Sequence, residues 1–421
     1  MAPGSAEPYG REGLPLETAC RKVLLSLDGM TAPATEPCRL DQALGRVCGK
    51  DVHATEAVPG FRASIMDGYA LGQNSQPHVE DQWTLKGRSA PGAPFEGTLQ
   101  HGEAVRILTG APLPEGAGWV LPQEMVQTDD HTQTLRLIKP ASDQAWIRAE
   151  DEECRPGDQL IAAGTRLSSA ALGRLSGCGV AHLAVYRSPR IGLLITGDEL
   201  VPSHAQRPPG AIWESNGTLL EAVLSKLDQT IHDRRVIADE PSRLKDALQD
   251  MADRCDVVVS TGGVSAGDSD WIRTVVDDIG DISFWKLFLK PGRPFAFGQL
   301  KGNVPFFGLP GNPVAAAVTA LQLLWPALQR LEGQAEPERF PRVKVRLAHP
   351  LQRRAGRPEL ARGRLLCNAD GDLLAEIKGS QASSRIGSLD NADLLLELPA
   401  EASSLEAGHE LWAQLIRRAV F

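Results

Sequence analysis

Nine histidines in 421 residues, none in an HxH or HExxH arrangement, leave a zinc hydrolase without its ligands. Seven cysteines, at 20, 38, 48, 154, 178, 255 and 367, contain no CxxC pair, which removes metal-cluster and disulfide-scaffold readings and fits a reducing cytosol. No GxSxG motif supports Ser/His/Asp catalysis. No apolar stretch approaches the ~20 residues needed to span a bilayer. The start, Met-Ala-Pro-Gly-Ser-Ala-Glu-Pro, lacks the basic-then-apolar layout of a secretory signal. A formal net charge of −9 argues against general nucleic-acid binding. The expectation is a cytoplasmic protein engaging neither membrane nor nucleic acid. One stretch departs from the acidic balance: residues 339–364 hold nine Lys or Arg against the single acid Glu359, either an anion-attracting surface or a solvated basic face.

What the chain has in quantity is turn-forming residues, 41 Gly and 30 Pro, within a hydrophobic fraction of 42% that suffices for ordinary cores. Its length predicts several domains. Apolar positions at 16, 19, 20, 23, 24 and 27 have helical spacing, and Leu40–Val47 reads as a further helical turn. From 52 to 147 short apolar runs alternate with Gly, Pro, Asp and Thr, predicting a β-rich module. A helix resumes near Ser168. From Pro189 onward strand and helix alternate. Ile191–Ile195 and Val257–Ser260 read as strands buried on both faces, Phe284–Leu289 and Pro294–Phe297 as alternating strands, and Val314–Leu331 as a long helix bent at Pro326. The prediction is a multidomain α/β protein: a doubly wound α/β domain at 187–331, a β-rich insert at 52–147, helical segments at 14–51 and 148–186, and a C-terminal β-barrel at 340–421.

Two loops carry the chemistry. Thr261-Gly-Gly-Val-Ser-Ala-Gly-Asp-Ser-Asp-Trp271 and Gly308-Leu-Pro-Gly-Asn-Pro313 each close an apolar run and open a helical pattern, stripping side chains from the turn so that backbone N–H groups can face an anion. The site is predicted to take a phosphorylated or pterin-like ligand through Thr261, Gly262, Gly263, Ser265, Gly308, Pro310, Gly311 and Asn312. The second loop is not a Walker motif, because no Lys-Ser or Lys-Thr follows. Asn312 is suited to cap the helix and Pro313 to open it. Asp198 and Glu199 close the first α/β strand, where paired carboxylates suit Mg²⁺ or proton transfer; Asp198 serves equally well as a helix cap. Asp268 and Asp270 in the first loop are either metal-phosphate ligands or first-turn acids favoured by the helix dipole, and the gathering of acids on one sheet edge favours the metal site. Lys286 and Lys290, four apart, would share one face of a strand. With Arg293 and Pro294 in Lys290-Pro-Gly-Arg-Pro294 they suit oxyanion binding.

Taken together, Ser64–Ala70, Thr109–Ala117, Thr196–Leu200, Ser215-Asn-Gly217, Thr261–Asp270, Lys290–Pro294 and Gly308–Pro313 resemble the MoeA family of molybdopterin molybdenumtransferases, related to the E domain of gephyrin. The motifs run in the family's order across most of the chain. The resemblance implies an elongated homodimer that inserts molybdenum from molybdate into adenylylated molybdopterin, releasing AMP with the help of Mg²⁺. It implies molybdopterin adenylyltransferase and molybdoenzyme maturation factors as partners. By motif, Asp67, Glu199, Asp270, Lys286 and Lys290 would be catalytic, with Asp270 and Glu199 holding the metal. Asp151, Asp239, Arg293, Arg362 and Ser383 would join the substrate site, Arg364 and Ser384 being the alternatives in the barrel. Trp271 stands where Tyr is usual and Arg293 where Lys is usual. A lone adenylyltransferase shares the α/β loops but lacks the flanking modules. A scaffold would need a fused partner or long linker that this sequence does not supply.

Overall fold

The computed structural model describes residues 13–30, 32–129, 131–264 and 271–417. They form two compact units. The described residues up to Lys50, with Ala163–Ser169 and Ala184 onward, make one; Asp51–Ala162 and Ala170–Leu183 make the other.

The larger unit contains a six-stranded mixed sheet. In spatial order its strands are Ile231–Ile237, Ile191–Thr196, Val257–Thr261, Val304–Leu309, Ala296–Leu300 and Gly280–Trp285. The first four are parallel, Ala296–Leu300 runs antiparallel to them, and Gly280–Trp285 pairs antiparallel with that strand. The apolar run Ile191–Ile195 is buried throughout because both faces are covered. Ile191, Leu193 and Ile195 face a core shared with Leu220, Val314, Leu324 and the helix Leu16–Leu27. Leu194, Val258 and Phe306 face the helices Pro241–Arg254 and Trp271–Ile279 through Leu244, Leu248, Met251, Ile272 and Val276. Helices on both faces of a largely parallel sheet are the doubly wound arrangement. The parallel strands therefore deliver residues 197–199, 238–239, 262–264 and 310–312 to one edge, beyond their carboxyl ends.

The sequence expectation of a long helix over Val314–Leu331 is met. Against the expectation that no apolar stretch nears the length of a bilayer span, the helix Pro313–Leu331 is 19 residues long and apolar; 78% of its most apolar window is buried inside the fold, as in a core helix. It is interrupted by a π-helical turn at Ala320–Leu324, so the irregularity precedes Pro326. Pro326 follows directly inside the same continuous helix, so the π-turn occupies the turn where the proline ring and its missing N–H disturb the preceding carbonyls. The expected helical turn at Leu40–Val47 shrinks to a 3₁₀ turn at Leu40–Gln42.

The C-terminal part is a closed five-stranded barrel, Arg342–Leu347, Leu373–Glu376, Glu359–Cys367, Leu394–Leu398 and Glu410–Leu415, filled by Val345, Leu347, Ala361, Leu394, Leu396 and Leu411. The smaller unit holds another six-stranded mixed sheet, in the order Trp119–Pro122, Gly68–Leu71, Glu103–Ile107, Gln82–Ser89, Thr134–Leu137 and Val126–Asp129. Alternate residues serve its two faces: Ala70, Val105 and Val120 on one, Leu71, Ala104 and Leu121 on the other.

Candidate active site

Asn216 ties the strand ends of the larger unit together. At the start of the helix Asn216–Ser225, its side-chain amide donates to Thr261 Oγ1 and to the Gly311 carbonyl, each at 2.8 Å. Thr261 in turn donates to the Pro310 carbonyl at 3.1 Å. One buried amide thus sets the spacing of the two Gly-rich loops. The backbone takes advantage of the missing side chains. Gly262 has φ +91°, and a Cβ there would lie 2.3 Å from the Thr196 carbonyl oxygen; at Gly308 it would lie 2.8 Å from Val264. Gly311 instead has room, its nearest neighbour being Gly262 Cα at 3.5 Å. That glycine keeps a backbone approach open without being needed for packing.

Beside these loops, Thr196 donates its hydroxyl to Asp239, and the Asp239 N–H donates to Asp198 at 2.9 Å. Asp198 therefore braces the neighbouring loop and caps no helix. Glu199 is exposed at the same edge, and its carbonyl accepts the Ile212 N–H at 2.8 Å. Among the described residues no group of three His, Cys, Asp or Glu is spaced to hold a metal. Ser265 and Asp270 lie outside the described residues, as does Asp268.

The basic segment departs from the strand expectation. The edge strand ends at Trp285, and Lys286 has φ +74°. Lys286 and Lys290 therefore do not share a strand face. Lys290 docks on the barrel: its N–H donates to the Pro358 carbonyl at 2.9 Å and its carbonyl accepts from Leu360 at 2.8 Å. Its ammonium, 42% exposed, lies 3.0 Å from the Glu359 carboxylate, which is 3% exposed and also receives Arg353 Nε at 3.0 Å. Arg293 is exposed and Pro294 half-buried in the same turn. Arg357 enters here without having been singled out from the sequence. Burial, and then the nearby Arg293 charge, hold its guanidinium below the ordinary arginine range.

Arg362 and Ser383 both lie against this region. Arg362 is 2% exposed. Its Nε donates to Ser388 Oγ at 3.2 Å and its Nη2 contacts the Ala382 carbonyl at 3.4 Å, while Nη1 is buried with no hydrogen-bond partner. Burial pushes its pKa down, partly offset by Glu359. Gln381 fastens the loop to the strand, accepting from Arg362 N at 2.9 Å and donating to Arg362 O at 3.1 Å. Ser383 accepts the Val314 N–H through its carbonyl at 3.0 Å. Asn312 occupies the N-cap position, but its side chain makes no capping bond, and the barrel loop does that work instead. Arg364, by contrast, is exposed.

In the smaller unit, Asp67 accepts both the N–H and the hydroxyl of Thr109, at 2.7 and 2.8 Å, which lowers its pKa below the usual carboxylate range. Asp151 accepts from Arg155 Nε at 2.6 Å.

Three stretches of this chain match described family regions. Residues 14–179 match the MoeA N-terminal region (domain I and II), 192–330 the probable molybdopterin binding domain, and 344–416 the MoeA C-terminal region (domain IV). A molybdopterin molybdenumtransferase of Haemophilus influenzae is 34% identical over 399 residues, covering 94% of this chain and 96% of that one. The chain belongs to the MoeA family. Another member, molybdopterin molybdenumtransferase 1 of Mycobacterium tuberculosis, is 29% identical over 403 residues, covering 90% of this chain and 94% of the other. Gephyrin of Dictyostelium discoideum is 28% identical over 456 residues, covering 96% of this chain but 62% of gephyrin. Among solved structures, the molybdopterin biosynthesis MoeA protein of Pyrococcus horikoshii superposes with a TM-score of 0.75 at 27% identity, covering 97% of this chain and 100% of that one. Of the candidate-site residues, Asn216 was legible only as part of Ser215-Asn-Gly217. The Lys290–Glu359 pair was not legible, because its members are 69 residues apart.

Proposed function

We propose that this MoeA-family enzyme of molybdenum cofactor biosynthesis inserts molybdenum from molybdate into adenylylated molybdopterin, with Mg²⁺-dependent release of AMP. The observation that carries the reading is the Arg362 guanidinium, buried yet with Nη1 unpartnered. A buried charged donor without an acceptor is costly unless a ligand supplies one. A tetrahedral dianion such as molybdate supplies it.

The residues divide the work. The 261–264 and 308–312 loops present backbone N–H groups to the phosphates and pterin, held in register by Asn216. Arg362, Ser383, Arg293 and Lys290 position the oxyanion near the dithiolene, so that much of the rate enhancement is proximity. Glu199 offers a hard carboxylate to a divalent cation, and by motif Asp270 would be the second ligand of Mg²⁺. When bound, Mg²⁺ neutralises charge on the departing AMP. Asp67 is read as a contribution from the second subunit of a homodimer, and Asp151 as a further acid of the substrate site. The substrate must come from a molybdopterin adenylyltransferase and the product go to molybdoenzyme maturation, in the cytoplasm.

The test incubates purified protein with adenylylated molybdopterin, Mg²⁺ and molybdate, following AMP by chromatography and activation of a cofactor-free molybdoenzyme. Molybdate-dependent AMP release with activation is the expected result. Tight binding without turnover would sink the catalytic reading.

A further inference from the structure

Trp213 is an indole held in place at the surface. It is 50% exposed, and Ile212 beside it is 49% exposed. A singly exposed apolar side chain needs no explanation, but this ring is fixed from several sides. Its Nε1–H donates to the Ala205 carbonyl at 3.4 Å, and the Arg207 guanidinium lies 4.8 Å from the ring centroid, in cation–π range. The backbone is fixed as well. Ile212–Trp213 pairs in parallel with Leu200–Val201, and Ile212 N–H and Glu214 N–H donate to the carbonyls of Glu199 and Val201, each at 2.8 Å. Glu214 then accepts the Gly217 N–H at 2.7 Å and pairs with Arg234 at 2.5 Å. This turn leads directly into Asn216, the residue that joins the two Gly-rich loops. Three residues of chain reach at most about 10 Å. Trp213 thus lies opposite Val201, one residue on from the Ile212–Glu199 bond, and within a nucleotide's length of Asn216.

We propose that Trp213, backed by Arg207, is a stacking surface for a heteroaromatic ring of the substrate. The proposal rests on the functional reading above, since adenylylated molybdopterin carries two such rings, adenine and pterin. Packing does not require an indole that is half in solvent, whereas a flat ring laid on its exposed part gains stacking without demanding a particular hydrogen-bond pattern.

The experiment measures binding of AMP and of molybdopterin separately, by calorimetry, to the full-length wild type, Trp213→Ala, Trp213→Phe and Arg207→Ala. Sedimentation and thermal melting accompany each variant. Trp213→Ala is expected to weaken one of the two ligands by about ten-fold or more, with Trp213→Phe retaining most of the affinity and Arg207→Ala falling between. Assembly mass and melting stay unchanged. Loss for AMP assigns the surface to adenine; loss for molybdopterin assigns it to the pterin. Wild-type affinity for both ligands in Trp213→Ala overturns the proposal. So does a changed assembly mass with unaltered affinities, which would make the indole a subunit contact. If the wild type binds neither ligand, the functional reading falls, and this proposal with it.

Discussion

The Ser383 carbonyl accepts the Val314 N–H at 3.0 Å, so a loop of the C-terminal barrel caps the helix that follows the second Gly-rich turn. The barrel is thereby part of the candidate site's construction. Residues far apart in sequence, Arg362 and Ser383 on one side and Gly308–Pro313 on the other, are held in one frame.

Arg362→Met separates binding from folding. Methionine fills much of the same volume without a buried charge, so the melting temperature is expected to hold or rise. The molybdate concentration needed for half-maximal turnover is expected to increase about 10- to 100-fold, the value of one or two charge-assisted hydrogen bonds. Unchanged molybdate dependence would detach Arg362 from the oxyanion.

Gly262 and Gly311 should respond differently to alanine. Gly262→Ala combines a positive φ with a 2.3 Å approach to the Thr196 carbonyl, and is expected to cost about 2–5 kcal/mol in urea unfolding. Gly311→Ala meets only ordinary contact at 3.5 Å. It should fold normally yet bind substrate more weakly, because the new methyl stands where a ligand approaches the backbone. Equal stability losses in both would refute the distinction.

At the opposite edge of the sheet, burial raises the Asp256 pKa, but hydrogen bonds from Arg187 and Arg190 outweigh it and bring the value from 3.8 to about 2. A depressed carboxylate stabilises the fold above its unfolded pKa and loses that contribution as pH falls through the folded one. Asp256→Asn is therefore expected to be less stable at neutral pH, by on the order of 1 kcal/mol after solvent screening. The gap to wild type should close between about pH 4 and pH 2. A gap that persists in acid would assign the loss to packing.

Glu332 is fully buried and pairs with Arg166 at 2.7 Å. It also accepts from Gln229 at 2.9 Å and from Ser188 at 3.3 Å. Glu332→Ala leaves the buried Arg166 with Gln334, the Gly45 carbonyl and a more distant Glu338 but without its close carboxylate, and should cost about 3 kcal/mol in denaturant unfolding. The double variant Arg166→Met/Glu332→Leu should recover much of that. A double variant as unstable as the single one would show that the charges themselves are required.

Much of this fold was legible because its signals are local. Ile191–Ile195 reads as a buried strand from composition alone, and Pro313 marks a helix start wherever it stands in such a loop. Lys286 and Lys290 show the limit. Their spacing suits a strand face, but the strand stops at Trp285 and Lys286 turns to positive φ with its carbonyl accepting the Leu14 N–H, while Lys290 docks on the barrel. Asn312 shows it too: its type predicts a side-chain cap, which the distant Ser383 carbonyl supplies instead. Arg357 and Glu359 gained their roles from neighbours that only the folded chain provides.

The Arg166–Glu332 pair also bears on the protein's synthesis. Its two charges are separated by 166 residues, which a ribosome adding roughly 5–20 residues per second takes about 10–30 s to cross. During that interval Arg166 has emerged, and the carboxylate that will neutralise it has not been made. The clasp cannot close until nearly the whole α/β segment exists, so a nascent chain halted before Glu332 would be held open at Arg166 and exposed to chaperones and proteases.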